Sequence, residues 1–182
     1  YYIDLYDTWS SYKAEAKGVL VAYASIHGNT AAVAEKIGEM LRDKGVEKVV
    51  VSDLAREDMA EVIEDAFKYD RMIVAAASYD GGVFPCMQDF LLHLQSKAYQ
   101  NRKVAIVENG SWAPNSGKLI SEILTPLKGW KQIGKTVTFK SAVKSENLNA
   151  LSELSKAVYE SLPTPKVDND PLFKISYGLF IL

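Results

Sequence analysis

Cysteine occurs once in these 182 residues, at Cys86, and histidine only twice, at His27 and His93. One thiol excludes an internal disulfide framework and suits a reducing, cytoplasmic setting. No apolar run approaches the roughly 20 residues that a transmembrane helix needs. The first residues, Tyr1 to Asp7, carry acids and lack the apolar stretch of a signal peptide. Charge of one sign is not in excess: 21 Lys and Arg stand against 23 Asp and Glu, a formal net charge of −2. That balance gives no basis for a nucleic-acid or anionic-membrane partner, either of which calls for a basic stripe. What remains is a globular composition, 48% hydrophobic and 24% charged, in a chain long enough for one well-packed domain.

From Lys17 to about Leu162, short β-branched runs alternate with amphipathic stretches. The runs Val19–Ala24, Lys48–Ser52, Met72–Ala77, Val104–Glu108 and Thr136–Lys140 predict strands. Between and after them, Thr30–Asp43, Arg56–Phe67, Phe84–Ser96, Ser116–Lys128 and Glu146–Ser161 carry helical periodicity. Five βα units in this order predict a doubly wound, five-stranded parallel sheet of order 2-1-3-4-5 with helices on both faces. The first and third runs are almost continuously apolar, as central strands buried on both sides should be. Residues 1–16 are rich in aromatics without a regular period, and residues 163–182 open with a Pro-rich polar stretch and end on an apolar run. Both are expected to be junctions: 1–16 a linker from a preceding domain, 163–182 a linker and the start of a following one. The domain proper is expected to span 17–162.

In a doubly wound sheet, ligands bind beyond the carboxyl ends of the strands, at the switch in strand order. The loops after the first, third and fourth strands are therefore the candidate site. The first, Ser25-Ile26-His27-Gly28-Asn29-Thr30, opens a helix, where backbone N–H groups and the positive end of the helix dipole converge on one anion. It holds no Lys or Arg and matches neither G-x-x-x-x-G-K-[ST] nor G-x-G-x-x-G. A monophosphate held by neutral donors, such as that of FMN, suits it better than a nucleoside triphosphate; a plain turn with Thr30 as helix cap is the simpler alternative. The second loop contains Ser78, Tyr79, Asp80, Gly81, Gly82 and Phe84. Adjacent glycines there allow close approach to a planar ligand, and Tyr79 offers a ring face, while Phe84 suits local packing; a mere Gly-rich connector is the alternative. The third holds Asn109, Gly110, Ser111 and Trp112. Its polar groups suit a pyrimidine edge and Trp112 can stack on a flavin ring, unless it serves an interface.

Taken together, S-I-H-G-N-T, S-Y-D-G-G-V-F-P and N-G-S-W-A-P, spread over five βα units, resemble the flavodoxin-like domain of flavodiiron proteins (A-type flavoproteins) across roughly residues 17–162. The first motif is similar to that family's S-x-x-G-N-T phosphate loop. The second departs from its P-T-x-N-x-x-x-x-P pattern and the third from its G-S-x-G-W. The resemblance implies an FMN-binding domain that relays electrons to a diiron centre reducing O2 or NO, within a head-to-tail homodimer. It also implies a donor such as rubredoxin or a flavin-reductase domain. Tyr6–Ser10 is similar to the family's connection from the diiron domain, and Asp170–Leu179 resembles the opening of a flavin-reductase-like domain. With two histidines, this chain itself lacks the ligands for a diiron site. His93 lies in a helical pattern beside apolar residues and suits a structural role. Cys86 stands near a helix start, where a thiol can be activated, but it has no evident partner and suits a buried structural role. Two other functions fit the same residues: a stand-alone flavodoxin or NAD(P)H:quinone reductase, and a flavin-free interaction module. A receiver-type module is disfavoured because Tyr23-Ala24-Ser25 ends the first strand without an acidic cluster.

Overall fold

The computed structural model describes residues 2–163. Its elements run α1 (Tyr2–Ser10), β1 (Ala16–Ala24), α2 (Asn29–Asp43), β2 (Val49–Asp53), α3 (Met59–Lys68), β3 (Tyr69–Tyr79) and β4 (Gly82–Val83). They continue with α4 (Pro85–Ser96), β5 (Lys103–Asn109), α5 (Ser116–Leu124), β6 (Lys131–Gln132), β7 (Val137–Phe139) and α6 (Ser145–Ser161). The sheet path is β2-β1-β3-β5-β6, parallel throughout. This is the anticipated 2-1-3-4-5 order, with one difference in its last member. The expected fifth strand, Thr136–Lys140, is present as the shorter β7, which pairs with the end of β5 at Val107–Asn109; a separate two-residue strand outside the expected runs, β6, pairs with the start of β5 at Lys103–Val104. Ile133 still donates its N–H to Val104 O (2.9 Å), and the chain turns away after it through Gly134, at φ 64°.

Alternation along the buried strands divides the core in two, because successive side chains point to opposite faces. Leu20, Ala22, Met72, Val74, Val104 and Ile106 pack on one face with α3, α4 and α5. Val19, Val21, Ile73, Ala75, Ala105 and Val107 pack on the other with α2 and α6. Each fully buried aliphatic chain of this kind contributes about 1.5–3 kcal/mol over its exposed state.

Three element boundaries differ from expectation for local chemical reasons. The third helix begins at Met59 rather than Arg56, because Asp58 caps it, its Oδ1 accepting from the Ala60 N–H at 2.7 Å. The fifth helix stops at Leu124 rather than Lys128: Thr125 still has helical backbone, but Pro126 after it has no N–H with which to continue the ladder. Residues 2–10, expected to be irregular, form α1, with Tyr6 and Trp9 in edge-on ring contact at 5.7 Å. None of its residues is buried.

At the amino ends of the strands, Arg102 is 3% exposed and donates to four main-chain carbonyls. These are Tyr69 O (3.2 Å), Phe67 O (2.7 Å), Gln100 O (3.2 Å) and Tyr12 O (2.5 Å). One guanidinium thus ties the segment after α1 to α3, β3 and β5. Beside it, Arg71 donates to the Ser161 hydroxyl and carbonyl at the end of α6. The linker beyond Pro163 and the segment Asp170–Leu179 lie outside the described residues. No helix among those described is long and apolar enough to cross a membrane.

Candidate functional site

Beyond the carboxyl ends of β1, β3 and β5 lies a cavity of about 460 Å³, within the range of small-ligand sites. Residues from all three predicted loops line it: Ser25, Ile26, His27, Asn29 and Thr30; Ser78 and Gly81; Asn109, Gly110, Ser111 and Trp112. Gly28 lies behind the lining, at φ 83°, and makes the turn that aims α2 at the cavity. No side chain caps α2. Thr30 is therefore not its cap; it is buried, with its hydroxyl 3.4 Å from Asn109 Nδ2. The N–H groups of an uncapped first turn are left for an external acceptor. The Ser25 hydroxyl is buried with no hydrogen-bond partner among the described residues, an arrangement that costs free energy unless a ligand completes it.

The second loop is a hairpin. β3 and β4 pair antiparallel through Tyr79↔Gly82, with Asp80 (φ 49°) and Gly81 (φ 72°) as the two turn residues. An Asp-Gly pair with both φ angles positive is the turn that matches strand twist. The left-handed residues are thus Asp80 and Gly81, whereas Gly82 lies in the β4 ladder. Tyr79, Asp80, Gly82 and Phe84 are outside the cavity lining. Phe84 packs on the core and meets the Tyr79 ring edge-on at 5.6 Å.

The third loop is held from both sides. Asn109 Nδ2 donates to Ser141 O (3.0 Å), and Asn109 Oδ1 accepts from the Ser141 N–H (3.0 Å). Glu108 ties β5 to its neighbours, accepting from the Gly117 N–H (2.8 Å) and the Thr138 hydroxyl (2.7 Å). Trp112 projects from this loop 95% exposed. Four lining residues lie outside the sequence expectation: Ala77, Ala113, Asn115 and Ser141. Asn115 Nδ2 donates to Gly81 O (2.6 Å), while its Oδ1 is buried without a partner among the described residues. Ser141, at φ 67°, comes from the loop after β7. Asn115 stands just beyond the N-G-S-W-A-P motif, whose polar character it continues. Ser141 carries no sequence signal beyond its position after the last strand.

The remaining candidates lie elsewhere. Cys86 is half-buried against the core, and burial pushes its thiol up from the ordinary range, opposite to activation. His93 is on the surface of α4, 3.6 Å from Asp89 Oδ1. Among the described residues, no three His, Cys, Asp or Glu side chains gather as a metal site.

Residues 20–155 match the family model of the flavodoxin domain. The chain belongs to the flavodoxin-domain family. This flavodoxin domain is 24% identical over 153 residues to an uncharacterized protein of Methanocaldococcus jannaschii, covering 83% of this chain and 38% of that protein. Among solved structures it superposes on rubredoxin oxygen:oxidoreductase from Desulfovibrio gigas with a TM-score of 0.80 and 19% identity, over 87% of this chain and 39% of that one. A flavo di-iron protein variant from Thermotoga maritima gives 0.74 and 20%, over 87% and 39%. A Streptococcus pneumonia flavodoxin gives 0.65 and 23%, over 80% of this chain and 99% of that one. The structural neighbours of the domain thus include both flavodiiron proteins and flavodoxins, and at these identities they establish the fold. Family membership implies a flavin ligand. The cavity fits a flavin phosphate in chemical kind: an uncapped helix start, an unpaired buried hydroxyl, and a lining without a carboxylate.

Proposed function

We propose that this flavodoxin domain binds FMN in the cavity and relays electrons within a larger oxidoreductase. The unpaired Ser25 hydroxyl beside the uncapped start of α2 carries the reading, since both call for the same anion. Ser25, Asn29, Thr30 and the main chain at Ile26–Gly28 would hold the phosphate. Asn109, Gly110, Ser111 and Asn115 would face the ring's polar edge, and Trp112 its exposed side. When bound, FMN supplies one- and two-electron transfer. The protein's part is to fix the ring's position and to set the charge around it. Asp80 stands at the hairpin tip and Glu108 at the end of β5 before the third loop, two carboxylates on site-forming elements that do not themselves line the cavity.

We extend the reading to delivery of electrons to a diiron O2 or NO reductase centre on another domain, with rubredoxin or a flavin-reductase domain as donor and a head-to-tail homodimer bringing flavin and iron together. The likeness to rubredoxin oxygen:oxidoreductase supports this, and the chain spans only 39% of that protein. The lone Cys86 is in keeping with a reducing, cytoplasmic setting. The second reading, a stand-alone flavodoxin or NAD(P)H:quinone reductase, is favoured by the likeness that covers 99% of the pneumococcal flavodoxin.

Adding FMN to the flavin-stripped chain is expected to quench flavin fluorescence at a stoichiometry of about one per chain, as one cavity of this size admits one such ligand. A folded chain that leaves FMN fluorescence unchanged would exclude the reading. Anaerobic mixing with reduced rubredoxin should then bleach the bound flavin; oxidation of NAD(P)H by the chain alone, with a quinone as acceptor, would instead favour the second reading. Asp80→Asn is expected to raise the potential of the bound cofactor by about 20–40 mV, the effect of one unit charge at a solvated distance. Asn accepts the left-handed φ that Asp80 holds, so the hairpin should persist. An unchanged or lower potential in redox titration would count against a role for this charge.

A further inference from the structure

Among the described residues, His27 is the only titratable side chain that lines the cavity. The other lining residues are neutral at every accessible pH: Ser25, Asn29 and Thr30 around the helix start, Ser78 and Gly81 from β3 and the hairpin, Asn109 to Ala113 and Asn115 from the third loop, and Ser141. The charges that flank them are held elsewhere. Glu108 accepts from Gly117 and Thr138. Asp53, at the end of β2, pairs with Arg56 at 3.5 Å, and Lys36 on α2 pairs with Glu39 at 2.8 Å. Asp80, Tyr79, Glu35 and Lys140 adjoin the site in sequence but are absent from its lining. His27 shares its loop with the unpaired Ser25 hydroxyl and precedes the Gly28 turn into α2.

We propose that His27 is a specificity residue that gives the site its one positive charge, and so couples retention of a phosphate-bearing flavin to pH. This rests on the FMN reading above. An imidazole ordinarily titrates near pH 6.5 and a phosphate monoester loses its second proton near pH 6. Just above pH 6 a dianion therefore meets an imidazolium that is still partly populated. The dianion raises the proton affinity of the imidazole beside it, so binding takes up a proton. By linkage, affinity is highest at the acidic end of this window, falls as pH rises through the imidazole range, and levels off above it. The neutral cradle alone gives the opposite slope, since it gains from a dianion as pH rises. Riboflavin, which has the ring without the phosphate, should be indifferent.

The test is a fluorescence titration of the flavin-stripped full chain with FMN and with riboflavin between about pH 6.5 and 8.5, for the wild type, His27→Gln and the control His93→Gln, which alters the distant imidazole on α4. The wild type and His93→Gln should lose FMN affinity about four- to fivefold across the window, as follows when a bound phosphate moves the titration of an imidazole upward by about one pH unit. His27→Gln should bind FMN with flat or rising affinity, and riboflavin should show no slope. A flat wild-type FMN profile, an equal slope for riboflavin, or a slope retained by His27→Gln would each overturn the role of His27 while leaving FMN binding intact. A folded wild type that binds no FMN at any pH would instead overturn the reading beneath it. If His27→Gln does not fold, the wild-type contrast between FMN and riboflavin still decides.

Discussion

Arg102→Met is expected to lower the melting temperature by about 6–12 °C, the equivalent of about 3 kcal/mol in a domain of this size. The guanidinium is 3% exposed and is shared among the carbonyls of Tyr12, Phe67, Tyr69 and Gln100. Methionine keeps the unbranched apolar stem but leaves those acceptors unpaired, and a buried acceptor without a partner costs about 1–3 kcal/mol. The costs do not simply add, because water can reach some of the carbonyls once the head group is gone. Lys156→Met, at an exposed position of α6, should shift the midpoint little, as exposed substitutions do. FMN affinity should be unaffected by Arg102→Met, because the residue sits at the opposite ends of the strands from the cavity. Thermal unfolding of the three proteins at one fixed FMN concentration checks this; a midpoint for Arg102→Met within about 2 °C of the wild type would refute the tie.

Thr30→Val has the largest expected effect on binding: a loss of FMN affinity of about 10- to 100-fold, matching the roughly 1.5–3 kcal/mol of a hydrogen bond to a charged acceptor. The substitution keeps shape and removes one hydroxyl at a buried position in the first turn of α2. Stability should change little, because Asn109 Nδ2, 3.4 Å from that hydroxyl, keeps its 3.0 Å bond to the Ser141 carbonyl. Riboflavin affinity should also be preserved, which separates loss of the phosphate contact from distortion of the ring site. Equal losses for FMN and riboflavin would assign Thr30 to the loop's shape instead.

The strands are legible in the sequence where both faces are buried. β1, β3 and β5 each contain a continuous apolar run, Val19–Ala24, Met72–Ala77 and Val104–Val107, and no competing helix period obscures them. Turn chemistry is legible in part: Gly81 is marked for positive φ by its type, but its companion is Asp80, which is set by hairpin register rather than by glycine content. α1 escapes a sequence reading because it buries nothing, so no apolar stripe facing a core distinguishes its aromatics from a loop. Within the cavity, the residues brought together by consecutive loop positions can be foreseen. Ser141 cannot, since it enters through long-range bonds to Asn109; nor can the bond to Gly81 that fixes Asn115, although that residue is consecutive with the third loop. Local spacing carries no trace of such closures.

The broken last strand has a consequence for behaviour at high concentration. A long parallel edge would present a continuous row of free peptide groups to another molecule's edge. Here the outer rim consists of a two-residue and a three-residue segment separated by a glycine-containing detour. Neither piece is long enough to template a further ladder. The break therefore guards this side of the sheet, opposite the β2 edge, against edge-on self-association.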